Sequence, residues 1–247
     1  MQKNISTIFV EETDSTNELA KEILKSKTHS LPFSVQANLQ TKGKGQFSKT
    51  WESKAKKNLL LSLVVEAPRI EIDKQFEISK AVAVAIRNMI KDITDAKVCI
   101  KWPNDIYVGD EKIAGVLIEN TIIGRKLDTC IIGIGLNVNQ IRFSDNLPNP
   151  TSLALITNKT FSLENIKDEI INAIIYNLKY LKDIDKNYTK FLYRKGELGK
   201  FISDKNLEFL GVITGVDITG KLCVRTENNV VKTFSNNEIK FVLPQTN

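Results

Sequence analysis

Hydrophobic positions follow two different periods along the chain, and the changes of period divide it into elements. Ile8 to Val10 reads as a short strand. Asp14-Ser15-Thr16-Asn17 offers N-cap residue types to a helix running to about Lys27, with Glu18 near its positive end. Phe33 to Leu39 predicts a strand, and Asn58 to Glu66, nearly continuous in Leu and Val, predicts another. Between them residues 40–57 are rich in Gly, Lys and Ser, carry no apolar period and predict a long loop. From Phe76 to Ile93 the apolar residues recur mostly at three- and four-residue steps, which predicts an amphipathic helix.

A strand-rich block follows. Val98 to Trp102, Ile106 to Val108, Lys112 to Asn120 and Leu127 to Leu136 are separated by turn signals at Gly109-Asp110 and Ile123-Gly124-Arg125, and read as hairpins of one antiparallel sheet. Residues 139–151 predict a polar loop, Ser162 to about Ile184 a helix capped by Ser162, and residues near Tyr188 to Tyr193 a short helical piece. From about Gly199 the pattern turns to short strands, Leu207 to Val216, Lys221 to Thr226, Val230 to Thr233 and Ile239 to Leu243, as in a small barrel. The expected fold is therefore α+β: a mixed, largely antiparallel sheet with helices packed on it over residues 1–198, and a small C-terminal β-barrel over 199–247.

Composition narrows the chemistry. The chain has 247 residues, 42% hydrophobic and 26% charged, ordinary values for a globular protein. No apolar run approaches the ~20 residues that span a bilayer. The N-terminus lacks the h-region of an export signal, so a cytoplasmic protein is expected, with no membrane association. Cys99, Cys130 and Cys223 form neither a disulfide framework nor a CxxC motif. His29 is the only histidine in the sequence, which nearly excludes a Ser-His-Asp triad, a Cys-His dyad and the usual zinc sites. Chemistry must then run on Lys, Asp, Asn and backbone amides, with Mg²⁺ held loosely if at all. The net charge of +6 comes from 29 Lys and 6 Arg without a dense basic cluster, and reads as solvated background.

Three stretches could carry chemistry. In Gln40-Thr41-Lys42-Gly43-Lys44-Gly45-Gln46-Phe47-Ser48-Lys49-Thr50-Trp51, alternating glycines let backbone amides approach a ligand, the lysines add charge and Trp51 a flat face. The segment lacks P-loop spacing and alone reads first as a flexible surface loop. In Lys101-Trp102-Pro103-Asn104-Asp105, Pro103 bars a regular central strand, so Asn104 and Asp105 sit in a turn at a sheet end. Lys112 then opens an apolar strand in which Gly115 permits close approach; alone, it reads as a lysine snorkelling at the strand's edge. The third stretch, Gly133-Ile134-Gly135-Leu136-Asn137, marks backbone meeting a ligand or a neighbouring chain segment, and is equally readable as a bulged core strand.

Taken in order, these stretches resemble the catalytic domain of biotin–protein ligases, the biotin–acetyl-CoA-carboxylase ligases. The matching residues run from Ser15-Thr16-Asn17 through Gln40, Gly43-Lys44-Gly45, Trp51 and Ser53 to Lys101-Trp102-Pro103-Asn104-Asp105, Lys112-Ile113-Ala114-Gly115 and Gly133-Ile134-Gly135-Leu136-Asn137. The likeness is strong over roughly residues 8–155 and weak through the C-terminal strands. The family's loop usually has the form G-R-G-R-x-G-R-x-W. Here Lys44 and Lys49 replace arginines, which keeps charge but not bidentate geometry, Gln46 replaces a third, and Ser48 replaces a glycine.

The resemblance implies a two-step ligase using biotin, ATP and Mg²⁺. It assigns Lys112, Asp105 and Lys44 to catalysis. Ser15, Thr16, Asn17, Gln40, Gly43, Lys44, Lys112 and Gly115 would bind biotin. Lys44, Lys49, Trp51, Asn104, Asp105 and Asn137 would bind ATP. The implied acceptor is the biotin carboxyl carrier protein of acetyl-CoA carboxylase, and some relatives pair as homodimers through a sheet edge. The rival of the same fold, lipoate–protein ligase, typically carries an R-R-x-S-G-G-G run and a downstream histidine, both missing here. A DNA-binding regulator of this type needs a winged helix–turn–helix ahead of the catalytic pattern, which already starts by residue 8, so no specific DNA binding is expected. A degenerate, non-catalytic fold-mate is disfavoured by the retention of Lys112, Asp105 and Trp51.

Overall fold

The computed structural model describes residues 5–124 and 126–242. Expected elements at Arg125 and beyond Val242, including the end of the last strand, lie outside the described residues. The N-terminal part is built on a seven-stranded mixed sheet of order β1-β2-β3-β7-β6-β5-β4. Its strands are β1 (Ser6–Thr13), β2 (Phe33–Gln40), β3 (Leu59–Glu66), β4 (Val98–Lys101), β5 (Asp105–Val108), β6 (Glu111–Ile123) and β7 (Lys126–Leu136). β1 and β2 are parallel, joined by helix α1 (Thr16–Ser26), while every other neighbouring pair is antiparallel. The mixed, largely antiparallel sheet expected from the sequence is therefore present.

The central strand β3 explains its own composition. Leu59, Leu61, Leu63 and Val65 belong to the main core, shared with α2 (Phe76–Ile93) and α4 (Leu163–Lys179). Val64, of opposite parity, packs under α1 with Ala20, Phe33, Val35 and Ile131. A strand covered on both faces needs apolar residues at nearly every position. The sole polar break in its interior, Ser62, marks where the α1 face turns from apolar packing to hydrogen bonds with Thr16 and Asn17.

The C-terminal part is a five-stranded antiparallel sheet of order β11-β10-β9-β8-β12. It comprises β8 (Leu198–Ser203), β9 (Glu208–Val216), β10 (Leu222–Thr226), β11 (Val231–Phe234) and β12 (Ile239–Phe241). Strand β8 extends the expected set, and the strands expected as a small barrel pair as this five-stranded sheet. Its buried residues Phe201, Ile213, Leu222, Val224 and Ile239 share one hydrophobic cluster with the large sheet. The indole Nε1 of Trp102 donates to the Gly220 carbonyl at 2.8 Å, fastening the β4–β5 turn to the β9–β10 turn.

Two helical details differ from the sequence reading. The single helix expected over 162–184 ends at Lys179, and α5 (Ile184–Lys190) starts afresh after Asp183 at φ +64. That break turns Ile184 and Tyr188 into the core. A five-residue helix, α3 (Leu153–Thr157), caps on Ser152, whose hydroxyl accepts from the Leu155 amide. Among the described residues, no helix is long and apolar enough to cross a membrane.

Candidate active site

Register places the site. On the α1 face, Leu60, Gly135, Gly115, Asp105 and Lys101 stand side by side across β3, β7, β6, β5 and β4. One step along β7, Gly133 stands between Ser62 and Leu117. The glycines open a flat floor. A Cβ on Gly135 would stand 2.3 Å from the Trp51 indole, and one on Gly133 would stand 2.4 Å from Asn17 Oδ1. Gly115 is less extreme, with Trp51 Cζ3 at 3.0 Å. The close approaches expected of these glycines are met by side chains of this chain, Trp51 and Asn17.

Above that floor lies a cavity of about 570 Å³. Of the residues singled out in the sequence, Ser15, Thr16, Asn17, Gln40, Lys44, Lys49, Trp51, Asn104, Asp105, Lys112 and Gly115 line it. One end is neutral and hydrogen-bonding. Ser15, Thr16 and Asn17 are buried at the start of α1. Ser15 occupies the N-cap position without making a cap bond, so its hydroxyl is left for the cavity. The Thr16 amide and hydroxyl both donate to Gln40 Oε1, at 2.7 and 2.9 Å. Ser62 Oγ lies within donor reach of Asn17 Oδ1, at 2.6 Å, and of Thr16 Oγ1. The Asn17 Nδ2 donates to Glu119, 2.8 Å away.

The middle of the cavity holds an ion pair, Lys112 Nζ to Asp105 Oδ1 at 2.7 Å, with the lysine ammonium 5.4 Å from the Trp51 ring centroid. Both side chains are mostly buried, at 32% and 20% exposure. A register shift in the β5–β6 pair sets Lys112 opposite Tyr107, beside Asp105. Desolvation, with the Asp105 charge adding to it, pushes the Tyr107 phenol up to about 12. Asp105 is the one carboxylate among the described lining residues, against the lysines 44, 49, 101, 112 and 240. The cavity is built for an anion.

Two assigned residues lie off the cavity wall, and others on it are engaged by partners within the chain. Asn137 does not line the cavity: β7 ends at Leu136, and the buried Asn137 Nδ2 donates to the Thr151 carbonyl at 2.9 Å. Gly43 also lies off the cavity wall. A Cβ there would sit 2.5 Å from the Trp51 carbonyl, so Gly43 serves the close pairing in which the Trp51 amide donates to the Gly43 carbonyl. The side-chain amide of Asn104 is spent on the Val116 carbonyl, which braces β6. Lys44 pairs with Glu18 at 2.7 Å, and this hydrogen bond, with one from Lys21, holds the Glu18 carboxyl below the usual range. Gln46 Oε1 accepts from Asn236 Nδ2 at 2.6 Å, tying the loop to the C-terminal sheet. The lining residues Asn236, Asn237, Ile239, Lys240 and Phe241 come from that sheet, and no motif in the sequence announced them.

The family model described as "Biotin/lipoate A/B protein ligase family" matches residues 9–137, the segment that contributes most of this cavity. The chain belongs to that family. It is 28% identical over 239 residues to the bifunctional ligase/repressor BirA of Bacillus spizizenii, covering 92% of this chain and 72% of that protein. Likeness to the BirA of Bacillus subtilis is 29% over 210 residues, 81% of this chain and 64% of the relative. Among solved structures, the biotin protein ligase of Aquifex aeolicus in complex with biotin and ATP superposes with a TM-score of 0.78 at 25% identity, covering 96% of this chain and 98% of that one. The row of Gly135, Gly115, Asp105 and Lys101 lies within the matched segment and lines the cavity.

Proposed function

We propose that the chain is a biotin–protein ligase that forms biotinyl-5′-adenylate from biotin and ATP and transfers the biotinyl group to a carrier lysine. One observation carries this reading: a single cavity joins a neutral hydrogen-bonding end, Thr16, Asn17 and Gln40, to a lysine-rich centre around the Lys112–Asp105 pair. A ureido ring presents N–H donors and a carbonyl to the first; a carboxylate and phosphates suit the second. The dithiolane of a lipoyl group offers no N–H or carbonyl to match Thr16 and Gln40. The relatives named as biotin ligases support the same choice.

In the first step the biotin carboxylate oxygen attacks the α-phosphorus and the bond to the β-phosphate breaks, releasing pyrophosphate. Two anions meet, so positive charge must be in place beforehand. Lys112 bridges carboxylate and α-phosphate, while Lys44 and Lys49 hold phosphate oxygens once Lys44 leaves Glu18. Fixed charge of this kind, aimed where charge develops, typically contributes about 3–4 kcal/mol per well-placed donor. Mg²⁺ enters as part of the nucleotide substrate: the described residues contain no cluster of three acidic, His or Cys side chains to cage it. Trp51, whose ring rests over Gly115 and Gly135, offers its flat face to the adenylate.

When Lys112 turns to the phosphate, Asp105 loses its partner. It then accepts the proton from the incoming carrier lysine, whose free pKa is ~10.4 and whose neutral form must be generated to attack the anhydride. The carrier implied by the resemblance is the biotin carboxyl carrier protein of acetyl-CoA carboxylase, in line with a relative named as a biotin–[acetyl-CoA-carboxylase] ligase, and the proposed place of action is the cytoplasm. Biotin-dependent exchange of labelled pyrophosphate into ATP tests the reading. Exchange with biotin and none with lipoate is expected; exchange with lipoate alone overturns the choice of substrate.

A further inference from the structure

The lysine at the edge of the sheet has no role in the steps above. Lys101 ends β4 directly opposite Asp105, so its side chain shares the cavity face. Its ammonium lies 5.0 Å from the Tyr107 ring centroid and 5.2 Å from that of Phe241, between the two sheets. Among the described residues it forms no ion pair, whereas Lys112 and Lys44 each have a carboxylate. Burial lowers its pKa, with the nearby cations Lys112 and Lys49 adding to that effect and Asp105 opposing it. A cation stripped of water and given only aromatic faces is poorly neutralised, and gains from an arriving anion.

Its position relative to Lys112 indicates which anion. The two lysines stand on the same face of β4 and β6, with β5 between them. Two strand spacings put their backbones roughly 10 Å apart. A chain of phosphates anchored on Lys112 at its α-position and extending away from the biotin end reaches toward Lys101 and the C-terminal sheet. Resting on the ligase reading above, we propose that Lys101 is a catalytic residue that holds the β- and γ-phosphates and takes up the negative charge of departing pyrophosphate. As the α-phosphorus–oxygen bond breaks, its electron pair stays on the bridging oxygen of pyrophosphate, beside the Lys101 ammonium; no proton needs to move.

The proposal separates the two half-reactions. Biotin-dependent pyrophosphate exchange needs Lys101, whereas transfer from supplied biotinyl-5′-adenylate to a carrier domain involves no pyrophosphate. Losing one charge-assisted contact in Lys101→Met should slow exchange roughly 10- to 150-fold and raise the apparent KM for pyrophosphate. Transfer from the supplied adenylate should stay within about threefold of wild type, and Lys101→Arg should recover most of the exchange. Unchanged exchange in Lys101→Met, or equal loss of both half-reactions in a variant that melts like wild type, overturns the assignment. A second measurement needs no variant: in the wild-type chain, magnesium pyrophosphate alone should slow acetylation of Lys101 by an acyl ester, read by mass spectrometry, while exposed Lys42 is unaffected. Equal labelling of Lys101 with and without pyrophosphate overturns it too. If the wild type shows no biotin-dependent exchange, the ligase reading fails; the labelling result still decides whether Lys101 meets a polyphosphate.

Discussion

Lys112 and Asp105 lie on neighbouring strands, seven positions apart in the chain, and meet at 2.7 Å in the middle of the cavity. The pairing has two consequences. It holds a half-buried ammonium in place, and in the proposed mechanism it keeps the base occupied until the phosphate draws the lysine away. Lys112→Ala is expected to lower biotin-dependent pyrophosphate exchange by about 10²–10³ while the fold persists. Asp105→Asn is expected to spare exchange and to slow transfer from supplied adenylate by about 10²–10⁴, the usual contribution of a positioned acid or base. Steady-state assays of the two half-reactions check both, and a Lys112→Ala enzyme with wild-type exchange removes Lys112 from the mechanism.

Gly133 tests the neutral end of the cavity. A methyl group there points at Asn17 Oδ1, 2.4 Å away, and Asn17 is held by Ser62 and Glu119. Gly133→Ala must displace Asn17 and disturb the Thr16–Gln40 pair beyond it. Loss of one or two hydrogen bonds to biotin predicts a KM for biotin roughly 10-fold higher or more, with the KM for ATP little changed. Initial-rate kinetics over both substrates settle it, and an unaltered KM for biotin would place the ureido ring elsewhere.

The loop residue Gln46 is joined to Asn236 of the C-terminal sheet at 2.6 Å. That contact ties the loop to the segment between β11 and β12. Asn236→Ala is expected to shorten the lifetime of bound biotinyl-adenylate by about 2- to 12-fold, the range for one neutral hydrogen bond. Without carrier, the escaping adenylate should label lysines of a bystander protein more strongly. Equal bystander labelling by both enzymes would show that the loop retains its intermediate through other contacts.

Trp102 couples the two sheets. Trp102→Phe removes the donor to the Gly220 carbonyl while keeping a buried aromatic ring. A buried acceptor left unsatisfied costs about 1–3 kcal/mol, so thermal unfolding should occur several degrees lower, in a single transition if the shared core makes the sheets cooperate. Two separated transitions in the wild type would instead assign each sheet its own stability.

How much of this was visible in the chain depended on whether a local rule governed the residue. Pro103 cannot sit in a central strand, so the turn that presents Asp105 was readable. Gly133 and Gly135 were readable as close-approach positions. Asn137 has the same parity as those glycines and was expected beside the nucleotide. The strand stops at Leu136, however, so alternation no longer applies and the side chain turns to Thr151. Similarly, Lys179-Tyr180-Leu181-Lys182 contains no helix breaker, and only the pull of Ile184 and Tyr188 into the core ends α4 where it ends. Strand β8 has one fully buried position, Phe201, and shows little alternation. The contribution of Asn236 and Phe241 to the site lies far from every motif and depends on how the second sheet docks.

The central claim is the transfer itself, and the mass of a carrier domain tests it most directly. The purified chain is incubated with ATP, Mg²⁺, biotin and a biotin carboxyl carrier domain, and the carrier is weighed by mass spectrometry. A gain of one biotinyl group on one lysine, absent without ATP and absent when lipoate replaces biotin, is the predicted result. A carrier whose mass does not change with biotin and ATP, under conditions where the protein is folded, would contradict the account.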